Sequence, residues 1–289
     1  MSWDLDSLVA IDTHVHVEQD DHGCCSLDQT LLEATAKYFG PGDNQTPTVE
    51  YLADYYRERK IGAVVFTVDA TTATGHPSLS SEEIIEKVAD HSDILMPFGS
   101  VDPHDPNAAA RVKSLGALGA KGFKFHPSVQ AFEPHDPAFY PIYEAINELG
   151  VPALFHSGQT GIGAGLPGGH GIKLRYSNPM LVDDVAADFP DLTIILAHPS
   201  VPWQDEAISI ATHKSNVFID LSGWLPKYFP EKLVHAANRM LKHKVMFGSD
   251  YPVLPPDRWI ESFNNDLEIR PDVLPLIMKE NAARVLKLV

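Results

Sequence analysis

A chain of 289 residues is long for a two-layer domain and suits one closed barrel of about 250 residues with insertions. Its composition, 44% hydrophobic and 21% charged, excludes a disordered chain, and no apolar run reaches the ~18 residues that span a bilayer. With 22 basic against 39 acidic residues the formal charge is −17, which repels a phosphate backbone or an anionic membrane and leaves a small molecule as the expected partner.

Eight short apolar runs follow one another along the chain. They are VAIDTHVHV (9–17), AVVFTVD (63–69), ILMPFGSVD (94–102), GFKFHP (122–127), PALFHSG (152–158), TIILAHPS (193–200), VFIDLSG (217–223) and VMFGSDYP (245–252). Each is nearly continuous in Val, Ile, Leu and Phe, the mark of strands covered on both faces in a parallel sheet. Amphipathic stretches such as PIYEAINELG (141–150) and PEKLVHAANRMLKHK (230–244) lie between them and predict helices. Ser80 with Glu83, Asp136 before Pro137, and Asn178 before Pro179 mark helix starts. Strand then helix, eight times over, predicts an α/β fold: a single (β/α)8 TIM barrel spanning residues 1–289. A doubly wound open sheet is the alternative. Two connections are longer than the fold requires, 18–48 after the first strand and the glycine-rich 158–176 after the fifth, and both follow carboxyl ends of strands, where a barrel builds its site.

Polar residues recur at those ends. The first strand ends in His14 and His16, the fifth in His156, the sixth in His198 and the eighth in Asp250. Alternate residues share a strand face, so His14 and His16 project together about 6–7 Å apart, close enough for both imidazoles to reach one cation. Closure makes the first and eighth strands neighbours, which brings Asp250 to them, with His156 from the opposite side. A lone H-x-H is a weak signal; the weight lies in four donors at four strand ends. Imidazoles plus a carboxylate suit one divalent metal, zinc first, with manganese or iron as alternatives. Lys124 and His126 share a face of the fourth strand, and Lys173 and Arg175 follow the glycine-rich loop. Lys124, His126, Arg175 and Trp224 are the expected substrate contacts, the cations implying an anionic substrate. Trp203 and Trp224 each fit either a pocket wall or packing under a loop. Adjacent Cys24 and Cys25 offer no disulfide framework.

The set IDTHVHV, LFHSG, ILAHPS and FGSDYP, closing with KENAARVLKL, resembles the amidohydrolase superfamily, in particular the amidohydrolase 2 branch that includes aminocarboxymuconate semialdehyde decarboxylase. The segment 174–206 is similar to the 4-hydroxyphenyl-β-ketoacyl-CoA hydrolase subgroup. The resemblance implies His14, His16, His156 and Asp250 as metal ligands and His198 as a catalytic imidazole. Relatives that decarboxylate aromatic acids often carry glutamate in place of the first H-x-H and tend to be longer, so the expected activity is hydrolysis of a small anionic carbonyl compound, with Asp250 as general base. The alternative is non-oxidative decarboxylation of an aromatic or muconate-type acid, which needs a cationic clamp for the carboxylate; Lys124 and Arg175 are the candidates. The start of the chain lacks the basic region of a secretory signal, so a cytoplasmic location is expected; homo-oligomer formation is left open.

Overall fold

The computed structural model describes residues 3–40 and 44–289, so residues 41–43 of the first insertion lie outside the description. Eight parallel strands form: β1 (Ala10–His16), β2 (Ile61–Phe66), β3 (Leu95–Pro97), β4 (Phe123–Phe125), β5 (Ala153–His156), β6 (Ile194–Ala197), β7 (Val217–Asp220) and β8 (Val245–Met246). The strands are buried almost throughout, as their unbroken apolar character requires. Continuous ladders join β1 to β3 and β4 to β8.

Two narrower seams complete the ring. Between β3 and β4, Gly99 pairs with Phe123, and the Lys124 N–H donates to the Gly99 carbonyl at 2.8 Å. Between β8 and β1, Val15 pairs with Tyr251, the Asp250 N–H donates to the His14 carbonyl at 2.9 Å, and the His16 N–H donates to the Tyr251 carbonyl at 2.8 Å. The fold is a (β/α)8 barrel.

A helix follows every strand, from Val49–Arg59 after β1 to Pro256–Asp266 after β8. Ser80 caps the helix Ser81–Ala89 by accepting from the Glu83 N–H, as its spacing predicts. Asp136 likewise accepts from the Ala138 N–H. One helix is shorter than its sequence suggests: the run 230–244 is helical only over Glu231–Ala237. Asn238 ends it by spending its side chain on the neighbouring segment, donating to the Glu268 carbonyl and accepting from the Arg270 N–H. The first insertion adds the helix Gln29–Phe39, capped by Asp28. Among the described residues no helix is long and apolar enough to cross a membrane.

Candidate metal centre

Most strands are shorter than their apolar runs because the carboxyl part of the run leaves the ladder, as at His198 after β6 and Asp250 after β8. His198 and Asp250 sit just past β6 and β8 with φ of 73° and 71°, a left-handed backbone that disfavours side chains with a Cβ. Such residues cost about 1–3 kcal/mol each and persist where the surroundings over-determine them. Here the Asp250 N–H is held by the His14 carbonyl, and the His198 N–H by Asp220 Oδ1.

The hydrogen bonds fix which ring nitrogen faces inward. His14 Nδ1 lies 3.0 Å from Asp220 Oδ2, an acceptor, so Nδ1 carries the proton and Nε2 presents the lone pair, 3.1 Å from Lys124 Nζ. That Nε2 lies 3.2 Å from Asp250 Oδ1. His16 Nε2 lies 3.2 Å from the same oxygen, while its Nδ1 faces Glu18 Oε1 at 3.4 Å. Three donor atoms from the two ends of the chain thus converge, each imidazole oriented by a carboxylate behind it. His198 Nδ1 donates to the Ser222 carbonyl at 3.0 Å, so its Nε2 accepts from His156 Nδ1 at 2.9 Å. The remaining nitrogen, His156 Nε2, is buried with no hydrogen-bond partner among the described residues. It is a lone pair in want of a cation.

Protonation fits this picture. Burial holds His14, His126, His156 and His198 below the ordinary imidazole range, so the rings are neutral, the form that binds metal. A carboxylate oxygen facing two imidazole nitrogens is repulsive unless positive charge stands between them. Lys124 Nζ supplies some of it from 3.1 Å off His14 Nε2, and burial has lowered that fully buried amine to about 8. The donor set and the orphaned His156 nitrogen both fit a divalent ion.

The donors open into a cavity of about 420 Å³, within the usual range for a small-molecule site. Lys124, His126, His198 and Trp224 line it, and His126 stacks on His156 at 3.7 Å. Arg175 does not reach it: the side chain is exposed, lies over Tyr176 and pairs with Glu133 at 3.4 Å. Lys173 and Trp203 also stand outside. The two insertions meet above the cavity, where Phe39 packs on the bare backbone of Gly161. Gly223 serves the centre directly; its φ is +76°, and a Cβ there would stand 2.6 Å from His198 Nδ1 and 3.1 Å from Asp250 Oδ2.

Sequence reasoning missed several participants. Asp220 was legible as a lone carboxylate ending an apolar strand. Thr67, one residue past β2, is buried with a hydroxyl that has no partner among the described residues, and it lines the cavity; nothing in its local sequence marks it. Asp12 accepts from the His14 and Ser249 N–H groups and from the Tyr56 hydroxyl, tying β1 to β8 behind the donors.

Donors gathered at the carboxyl mouth of a closed parallel barrel define the class, a TIM-barrel enzyme. The family model described as Amidohydrolase matches residues 11–288, and the chain belongs to that family. No curated protein matches it. Solved structures share the fold. An uncharacterised TIM-barrel protein of Bordetella bronchiseptica aligns with TM-score 0.75 at 21% identity, covering 96% of this chain and 99% of its own. The 5-carboxyvanillate decarboxylase of Novosphingobium aromaticivorans, complexed with manganese and 4-hydroxy-3-methoxy-5-nitrobenzoic acid, aligns with TM-score 0.67 at 16% identity over 99% and 98%. A probable 2-pyrone-4,6-dicarboxylic acid hydrolase of Acinetobacter baumannii aligns with TM-score 0.62 at 15% identity over 96% and 99%.

Proposed function

We propose that this protein is a divalent-metal-dependent carboxy-lyase acting on a carboxylated aromatic or muconate-type acid. The observation that carries the reading is the convergence of His14 Nε2, His16 Nε2 and Asp250 Oδ1, with His156, whose Nε2 has no partner among the described residues, lining the same cavity. These four residues are the proposed ligands. The likeness to a manganese-bound decarboxylase supports manganese, with zinc the other ion suited to the donors. The bound ion would supply positive charge that steadies the electron pair left when carbon dioxide departs.

This chain's own residues account for the rest. Decarboxylation needs a cation to hold the substrate carboxylate; Arg175 is engaged outside the cavity, and Lys124, whose Nζ lies 3.1 Å from His14 Nε2, is the cation beside the donors. An amine titrating at about 8 is protonated at neutrality. When the C–C bond breaks, its electron pair stays on the substrate carbon, which takes a proton from the Lys124 ammonium; solvent then restores the proton. His198 positions His156 by accepting its Nδ1–H. Walls including Leu31, Phe39, Val129 and Trp224 limit water around a step in which charge is lost.

Hydrolysis is the second reading, favoured by the likeness to a dicarboxylic acid hydrolase; Asp250 would then be the general base, with His198 beside it. Manganese-loaded protein incubated with a panel of aromatic acids, 5-carboxyvanillate first, in H2¹⁸O separates the two. Release of carbon dioxide without label in the product is the expected result; labelled product without carbon dioxide would overturn the carboxy-lyase reading. Lys124→Met should lower kcat by about 10²–10⁴ and leave manganese uptake in place. Wild-type turnover should fall as pH rises through about 8, because the ammonium form is lost there.

A further inference from the structure

The wall formed after β7 and β8 carries two uncommitted cations. Arg258 stands in the first turn of the helix Pro256–Asp266 and lines the cavity. Its guanidinium has no hydrogen bond or ion pair among the described residues. Elsewhere the exposed guanidinium groups are mostly engaged: Arg57 with Asp93, Arg59 with Asp257, Arg111 with Asp69, Arg175 with Glu133 and Arg270 with Asp272. In a chain of formal charge −17, carboxylates are abundant, and one left unpaired beside a cavity is the exception.

Lys227 is its neighbour. The Lys227 N–H donates to Ser262 Oγ at 3.2 Å, and Ser262 lies one turn beyond Arg258 on the same helix face. The Lys227 ammonium has no carboxylate partner either; it lies 4.9 Å from the ring of Tyr228, which is 61% exposed and lines the same cavity. Among the described residues neither cation forms an ion pair with the carboxylates of this corner, Glu231 and Glu261 included. Asp257 pairs with Arg59, and Asp266 accepts from Ser262 Oγ. The acids lining the cavity are equally committed: Glu18 to His16 and Ser26, Asp28 to the Leu31 N–H, and Asp250 to His14 and His16. Arg258 lines the cavity and Lys227 stands on the neighbouring segment with its ammonium over the ring of Tyr228, which also lines it; among the described lining residues the other ammonium or guanidinium is the buried Lys124, so this corner can receive negative charge.

We propose that Lys227 and Arg258 grip a second anionic group of the substrate, remote from the carbon that reacts, while its aromatic or acyl body lies along Tyr228 and Trp224. The substrate is accordingly two-ended: one oxyanion at the donors and Lys124, another at the rim. The inference rests on the metal-centre reading for the inner end; the outer end is tested separately. Two cations in one place select a dianionic group such as phosphate over a single charge, and the contact is exposed enough to weaken as salt rises.

The test uses manganese-loaded full-length protein and calorimetric titration with 4-alkoxybenzoates of increasing methylene length, each ending in phosphate, against matched ethers ending in methyl. The expected result is that at least one phosphate-ended member binds roughly ten-fold more tightly than its methyl-ended partner, with the difference shrinking at high salt. In the double variant Lys227→Met, Arg258→Met the ratio should collapse to about one, and Arg258→Lys alone should retain part of it. Both residues are exposed, so the variants fold, which their melting curves check. Equal affinities throughout the series, or a preference that survives the double variant, would overturn the inference. So would failure of every member to bind. Manganese uptake, measured on the same samples, tells the two readings apart: intact uptake without a phosphate preference sinks the rim alone, whereas absent uptake sinks the centre.

Discussion

His14 shows how a side chain is committed by what stands behind it. Asp220 takes the proton on Nδ1 and thereby aims an unprotonated Nε2 at the centre. Asp220→Asn keeps the shape and the bonds to the His198 and Ser222 N–H groups but removes the charge that enforces the tautomer. Manganese affinity should fall about 10–100-fold with the fold intact, as equilibrium dialysis and circular dichroism would show. Asp12 is the buried acid of β1, and burial raises it to about 7 against the hydrogen bonds from Ser249, His14 and Tyr56 that lower it. A carboxyl raised on folding stabilises the native state below its unfolded value near 3.8, and that contribution is lost as pH rises through about 7. Chelator-treated wild type should therefore lose stability between about pH 5 and 7.5 relative to Asp12→Asn, by an amount on the order of a few kcal/mol. Denaturant titrations at the two pH values measure it; parallel curves for the two proteins would contradict the assignment.

At the scale of elements, the site belongs to strand ends and the loops that follow them. Gly223, in the loop after β7, is the tightest fit. Gly223→Ala imposes a Cβ on a left-handed backbone and drives it against His198 and Asp250. The substitution should cost about 1–3 kcal/mol in stability and abolish high-affinity manganese binding, read by thermal unfolding with and without the ion. The apolar runs were legible as strands because a buried parallel strand needs apolar residues on both faces. Their lengths were not. β8 keeps only Val245–Met246 in the ladder because the following residues turn out to present Asp250. The helix after β7 ends at Asn238 for a similar reason: its side chain is claimed by residues 268–270, a segment distant in sequence.

At the scale of the molecule, closure is the decisive event. Thr13 and Phe247, 234 residues apart, share a hydrogen bond across the last seam, and the donors of β1 meet Asp250 as a result. An ion bound there stitches the two ends of the chain together, and it binds the folded state alone. Manganese at one hundred times its dissociation constant should raise unfolding free energy by about 2.7 kcal/mol, and a chelator should reverse the gain. A melting temperature indifferent to manganese, zinc and iron would count against a metal centre.

The sequence by itself determined the barrel, the end of it that holds the site, and the residue types gathered there. Those follow from local periodicity: apolar runs alternating with amphipathic stretches, and polar residues placed where each run stops. Only the tertiary structure decided which nitrogen of each imidazole faces inward, that Asp220 stands behind His14, and which cations line the cavity. Lys124 and Arg175 were equal candidates on paper, and Arg258 was not among them. The difference is one of reach: a long side chain goes to whatever partner the folded surface offers, and Glu133 captured one guanidinium while the other forms no ion pair among the described residues.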